Sequence, residues 1–580
     1  MLRLIRPLSA AAFLCISISI ARAENVPERL LPDTTQVYYR FDGLQSHREA
    51  FAKTAMGRTL DGEAGEWVGS LIRSFADSLE GFLTSQPVLG DDPPEQIVES
   101  IRAEVPEAIQ LAARIQKYGV VVGLEVAKFE PIEFQLTVIF PSVGDEPKPF
   151  HAAMRLLTSL ARLRVREIMV GERTIQTLRD DEIHTAWWIE GKDAIVTVGN
   201  AKPNRAVERV TAKDGRLTGH PLFQRLTAFK EFTPTARAFV DSAALVKVLR
   251  ARDDESAKVI DELGLAGLKD IAYWNGCDGE AGKYVIEMTM PEPRKGLLAL
   301  FRKQPFRLTD LPALPEDLDT LAASNIDPAA TFDTLFTLTE SIVKILDPDR
   351  EKTVRAAVDA ADILLGFDLR KDLLGSLQAP LVRYNASSDG PLFYGQVIGV
   401  KVKDVKVVRE KMAKLWEKLG ELPDATVSFH TKKYRGIELT MVKTNERGSP
   451  FLPTIAVTDG WLVASLFPQP IQAFILREQR EASVWKPSEE VKRTFEKHTG
   501  DIVGVTMSDL RGTLQQLLSW APLIVQALSR RGDETGIGIE IEQIPPAATF
   551  VRHLFADVGV STDDGEKLRM VYRAAWWLPW

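Results

Sequence analysis

The chain has 580 residues, 45% of them hydrophobic and 26% charged, with a formal net charge of −8. This globular composition excludes a disordered or low-complexity protein, and an acidic balance without a long basic run argues against a nucleic-acid partner. The length exceeds what one hydrophobic core normally serves, so two or more packed units are expected.

In chain order, residues 1–23 read as a signal peptide. Arg3 and Arg6 make a basic start, Leu8 to Ala21 is an apolar and small-residue run, and Ala21-Arg22-Ala23 is a small-x-small cleavage site. Cleavage after Ala23 predicts a mature start at Glu24 and an exported, periplasmic or extracellular product of bacterial type. The run is broken by Ser9, Ser17 and Ser19 and is shorter than the roughly 20 apolar residues of a membrane span. Phe13 and Leu14 do not suit Cys15 as a lipidation site. Loss of Arg3, Arg6 and Arg22 takes the formal charge from −8 to −11. No transmembrane segment is expected afterwards: the most apolar stretch, Ala521 to Leu528, holds Pro522 and Gln526 and reads as a buried helix.

After the leader, Leu31-Pro32-Asp33 opens a strand, Val37 to Phe41, followed by a helical run from Ser46. The stretch from Asp61 to Lys117 is helical. It carries Trp67, Leu71, Phe75, Leu79 and Leu83, then Ile97, Ile101, Val105, Ile109 and Ile115. Gly119 to Val126 and Phe134 to Phe140 alternate as strands. Phe150, Met154, Leu157 and Ala161 keep helical spacing, and Thr174 to Leu178 is again a strand. Trp187 to Glu190 and Ala194 to Val198 make a hairpin, then come a helix from Pro221, a strand from Arg237, a helix from Ala243 and a strand from Lys283 to Met290.

The same order recurs. Leu314-Pro315-Glu316 precedes a helical run from Ala329 and a second from Arg350 to Leu365. Leu392 to Val402 reads as strand. Val405, Val408, Met412, Leu415, Trp416 and Leu419 form a helix that Asp404 starts and Gly420 ends. Strand Ile437 to Val442 and the hairpin Ile455 to Ser465, turning at Asp459-Gly460, come next. A helix from Glu489 to His498, a strand from Ile502 to Ser508, a helix from Leu510 and a strand from Lys567 to Ala575 complete it. Equivalent points lie roughly 260 to 285 residues apart, which is the signature of an internal repeat. The expected fold is therefore α+β, in two similar tandem halves of mostly antiparallel sheet with amphipathic helices packed on it. The halves are 24–301, with a helical insertion at 61–117, and 302–580.

This layout resembles an uncharacterised family of exported bacterial proteins, a domain of unknown function. The resemblance rests on Leu31-Pro32-Asp33, the run of α/β modules and the hairpin Thr458-Asp459-Gly460-Trp461-Leu462-Val463. It implies no activity, cofactor or catalytic residue.

Chemistry-bearing motifs are absent. The histidines, His47, His151, His184, His220, His430, His498 and His553, are scattered, which does not match a zinc motif. There is no Gly-x-Ser-x-Gly elbow or P-loop. Asp180-Asp181-Glu182, Asp253-Asp254-Glu255, Asp347-Pro348-Asp349 and Asp563-Asp564-Gly565-Glu566 lack the calcium-loop pattern and read as turns. With Cys15 gone, Cys277 is the one thiol and reads as a small buried or turn residue; the alternative is a nucleophile or a dimer-forming thiol. Of Trp187 and Trp188, one faces the core, and the other is a ligand platform or lies under a helix. The aromatic end, Trp576-Trp577-Leu578-Pro579-Trp580, reads as a tail folded onto the body.

No catalytic, cofactor-binding or metal site is assigned and no cofactor is expected. The expected function is a non-enzymatic envelope protein binding a small-molecule or protein partner, in a cleft between the halves. The alternatives are a hydrolase with a dispersed site and a structural envelope component. Three or more titratable side chains converging in one pocket would favour the enzyme.

Overall fold

The computed structural model describes residues 26–71, 95–161, 163–180, 183–301, 305–390, 392–421, 427–444, 450–496, 501–529 and 544–577. The leader and its cleavage site, Phe75, Leu79, Leu83, His498 and Trp580 lie outside them. The strands are β1 (Val37–Phe41), β2 (Val120–Phe129), β3 (Ile132–Phe140), β4 (Arg166–Val170), β5 (Arg173–Asp180), β6 (Ile183–Glu190), β7 (Asp193–Gly199), β8 (Thr233–Val240), β9 (Asp270–Asp278) and β10 (Ala281–Thr289). They continue as β11 (Leu318–Ser324), β12 (Leu377–Ala386), β13 (Val397–Val402), β14 (Val427–Tyr434), β15 (Ile437–Thr444), β16 (Thr454–Val457), β17 (Trp461–Ser465), β18 (Asp501–Ser508), β19 (Asp557–Asp563) and β20 (Lys567–Ala574).

All join one 20-stranded sheet. Across it the order is β4-β5-β6-β7-β3-β2-β1-β8-β9-β10, then β20-β19-β18-β11-β12-β13-β17-β16-β15-β14, every pairing antiparallel. Exposed charges line the two outer strands, Arg166 and Glu167 on β4 and Lys432 and Lys433 on β14. Such residues discourage pairing with another sheet.

Helices cover the sheet because each has one apolar stripe to bury. Helix Lys148–Leu160 sets Phe150 against Trp187 and Ala194. Helix Val405–Gly420 sets Val408 and Met412 against Val400 and Val457, and the Asp404 carboxylate accepts from the Val407 N–H at 3.0 Å, as expected of its cap. Trp187 and Trp188 are both buried, in cores on opposite faces, because helices lie on both sides there.

Several expectations are corrected. The helix Val405–Gly420 ends on Glu421, whose N–H bonds the Glu417 and Lys418 carbonyls, so Gly420 is its last residue and not its cap. Only Val397–Val402 of the stretch from Leu392 is strand; Leu392–Gly395 is a 3-10 turn. Within helix Leu510–Ser529 the side chains of Leu517, Trp520 and Leu523 are exposed, Leu523 to 66%, so the run from Ala521 is not buried at that residue. Of the two readings of Cys277 the buried one holds: it lies in β9, which runs on to Asp278 before the hairpin to β10.

The two sheet segments meet at β10 and β20, eight pairs from Gly282↔Ala574 to Thr289↔Lys567. Val285 faces Val571, and Tyr284 stacks on Tyr572 at 4.8 Å. Arg294 clamps Asp563 with both nitrogens, one at 2.8 Å, in a buried ion pair. Trp577 folds over Gly282 and donates its indole N–H to Asn275, so this part of the tail does fold onto the body. A seam of paired strands therefore stands where a cleft was expected. Beside it Cys277 is buried with Ala574 and Trp577 and forms no disulfide; burial pushes its thiol up to about 12. Thermal unfolding of the monomer is expected to give the same Tm with and without reductant, and a fall in Tm under reduction would reveal a bridge.

Candidate functional site

The inward positions of β2, β3, β7 and β6 change character along the strands. Near one end Val121, Ile139, Ile195 and Trp188 form a directly paired apolar row. Two residues further, Gly123, Thr137, Thr197 and Ala186 are small. Gly123 leaves the room that Leu31 fills, since a Cβ there would stand 2.8 Å from Leu31 Cδ2. Two residues further again the row is polar: Glu125 faces Gln135, Gln135 faces Gly199, Gly199 faces His184, and His184 faces Arg179 of β5. Paired residues on adjacent strands point to the same face, so these side chains share one surface.

That surface floors a cavity of about 770 Å³, lined also by Thr34, Gln36, Glu133, Asn200 and Arg209. Gln36 exchanges two hydrogen bonds with the Val126 backbone, at 2.7 and 3.0 Å. Asn200 accepts from the Phe134 N–H at 2.9 Å. Glu125 is buried, accepts from the Thr34 hydroxyl and has Arg209 at 3.6 Å. Arg209 reaches it from helix Pro203–Thr211, whose Val207 and Val210 are anchored in the core. Burial, then the charges of Arg179 and Lys202, hold His184 below the ordinary histidine value.

Gln135 is 4% exposed. Its Nε2 donates to the Leu136 carbonyl at 3.3 Å, while its Oε1 has no hydrogen-bond partner. Gly199 is required beneath it: a Cβ there would stand 2.2 Å from the Phe134 carbonyl oxygen and 3.1 Å from Gln135 Oε1. Gly199→Ala is expected to cost about 1–3 kcal/mol, because fixed backbone must move. Urea unfolding would measure it, and a loss within error would show the strands separate there easily.

Among the described histidines only His184 lines this cavity. His47 lies beside Asp42 at 3.5 Å, and His220 caps helix Pro221–Thr227 by accepting from the Leu222 N–H. Within two of the acidic clusters a carboxylate serves locally. Asp253 caps helix Asp254–Glu262, and Asp564 accepts from the Glu566 and Lys567 N–H groups in the β19–β20 turn. Among the described residues no three His, Cys, Asp or Glu side chains are grouped to hold a metal. Sequence reasoning missed Glu125 and Gln135. Their signal was a polar residue at an inward position of an otherwise apolar alternation, Val121-Gly123-Glu125 and Gln135-Thr137-Ile139.

No protein-family model matches the chain, and no curated protein matches it. Among solved structures it is similar to crystal form III of TP0453, with 9% identity over 48% of this chain and 84% of that one and a TM-score of 0.25. For crystal form I of the same protein the values are 10% identity, 48%, 83% and 0.24. These scores lie below the level of a shared fold. No described helix is long and apolar enough to cross a membrane.

Proposed function

We propose that this is an exported, non-enzymatic binding protein of the bacterial cell envelope, taking a small polar ligand in the cleft lined by Glu125, Gln135 and His184. One observation carries the reading: a buried, unpaired acceptor, Gln135 Oε1, on a residue lining a roomy cavity with several polar groups. Binding sites combine such a concavity with a few placed polar groups. A thermal-shift screen of polar small molecules tests it. A ligand that raises the Tm of wild type and not of Gln135→Leu supports the reading; no shift from any compound overturns it.

The dispersed-site hydrolase is the second reading, favoured by the titratable lining, Glu125, Glu133, Arg179, His184 and Arg209. Against it, Glu125 and His184 stand three strand spacings apart, about 14 Å, too far to act on one atom. Turnover of ester, phosphate or peptide substrates that Glu125→Gln abolishes would favour it.

We infer also that residues 24–301 and 302–580 are tandem copies, in keeping with the likeness to an uncharacterised exported family. Strand order supports this: read inward from either outer edge, the sheet is laid out alike. The hairpins β6–β7 and β16–β17 fall at matching places, and Val285 and Val571 occupy matching places in β10 and β20. The polar row has no counterpart in β12, β13 and β17, where Tyr384, Val397 and Ser465 stand in line at the strand ends.

A further inference from the structure

The cleft is chemically uneven from end to end. Arg179 is exposed at the β5 end, and its charge and that of Lys202 both reach His184. Acceptors stand at the β2–β3 end. There Glu125 already answers Thr34 and Arg209, whereas the buried Gln135 Oε1 is unpaired. The Nε2 bond to Leu136 fixes which end of that amide is oxygen. The unpaired oxygen lies over Gly199, the residue between Gln135 and His184 in the row. A neutral amide oxygen is matched by a neutral donor, a hydroxyl or an amide N–H; an ammonium group would go to a carboxylate instead. Two strand spacings, about 10 Å, separate the backbones of Gln135 and His184.

We infer that the cleft takes a small organic acid carrying hydroxyl or amide donors, its carboxylate toward Arg179 and His184 and one donor on Gln135 Oε1. This rests on the ligand-binding reading above. Arg179 at one end, and at the other an unpaired acceptor beside an Arg209 already facing Glu125, give the ligand its charge and direction.

Calorimetric titration of the mature chain with two matched pairs tests it. One pair is D-glucuronate and D-glucose, and the other is N-acetylglycine and N-acetylglycinamide. At least one acid should bind roughly tenfold or more tighter than its neutral partner, the loss expected when a charge-assisted hydrogen bond is missing. The pair that responds tells hydroxyl from amide donors. Arg179→Gln, at an exposed position, should reduce that preference about tenfold and leave the neutral compound unchanged. Gln135→Leu should weaken acid and neutral compound alike without lowering the Tm, because it removes an unpaired buried oxygen. Equal binding of acid and neutral partner, an unchanged preference in Arg179→Gln, or no binding by either acid at millimolar concentration overturns the acid assignment. The thermal-shift screen then decides separately whether the cleft binds anything.

Discussion

Arg477→Met should destabilise the protein by about 3–5 kcal/mol, the usual cost of leaving one member of a buried pair alone. Arg477 donates to both oxygens of Asp389 at 2.9 and 2.8 Å, to the Tyr384 hydroxyl at 2.8 Å and to the Ala313 carbonyl at 3.2 Å. The two charged side chains are 4% and 1% exposed. One guanidinium thus ties helix Pro468–Glu478 to β12, to the β12–β13 connection and to the segment before β11. Its removal strands the Asp389 carboxylate in the interior without the two hydrogen bonds Arg477 gave it. Replacing both partners, Arg477→Met with Asp389→Leu, should recover much of the loss, because the desolvation cost goes with the charges. Urea unfolding of the three proteins gives the result, and a single-variant loss below about 1 kcal/mol would mean the site admits water freely.

Raising the pH from 5 to 8 should weaken the wild-type protein relative to Asp557→Asn. Burial pushes the Asp557 carboxyl up to about 7, against the pull of the Ala575 and Trp576 N–H groups and in spite of the Arg573 charge. In the unfolded chain an aspartate titrates near 3.9. Between those values the folded protein holds the extra proton, so its stability falls as pH rises through the window and levels off above it. The whole effect is roughly 4 kcal/mol. Asp557 Oδ1 accepts from the Ala575 N–H at 2.6 Å, just before Trp577 turns onto Gly282. The penalty of ionisation is thus the burial of a charge beneath the tail, not the loss of this bond, which a carboxylate accepts more strongly. Unfolding free energies of wild type and Asp557→Asn at several pH values isolate this group. A difference that does not change with pH, or that grows in wild type's favour, would show Asp557 ionised without penalty.

Much of the fold could be read because its elements announce themselves locally. The helix from Val405 shows its stripe and its Asp404 cap, and the two hairpins show alternation around a turn. β12 was missed: Pro380 and the charged Arg383 interrupt its pattern, and only its neighbours β11 and β13 make it a strand. β4, β9, β14 and β19 were passed over as well, being completed by pairing more than by composition. The apolar run of helix Leu510–Ser529 shows that hydrophobicity alone does not say what covers a face. The candidate site was the least legible part. Glu125 and Gln135 are ten residues apart, and His184 and Arg179 are brought beside them only by strand register.

The seam has a consequence for how the molecule comes into being. β10 pairs with β9 at once, through a hairpin, but its other edge waits for β20, a wait measured by the 282 residues between Glu287 and Arg569, which close on each other across it. The middle of the sheet thus joins strands farther apart in sequence than the other pairings, which are mostly hairpins with a few long crossovers such as β1–β8 and β11–β18. Contacts of such separation slow folding, and an open edge in the interval invites strangers. Lys283 and Glu287, spaced along β10, give that edge charges to keep other strands away until its own arrives.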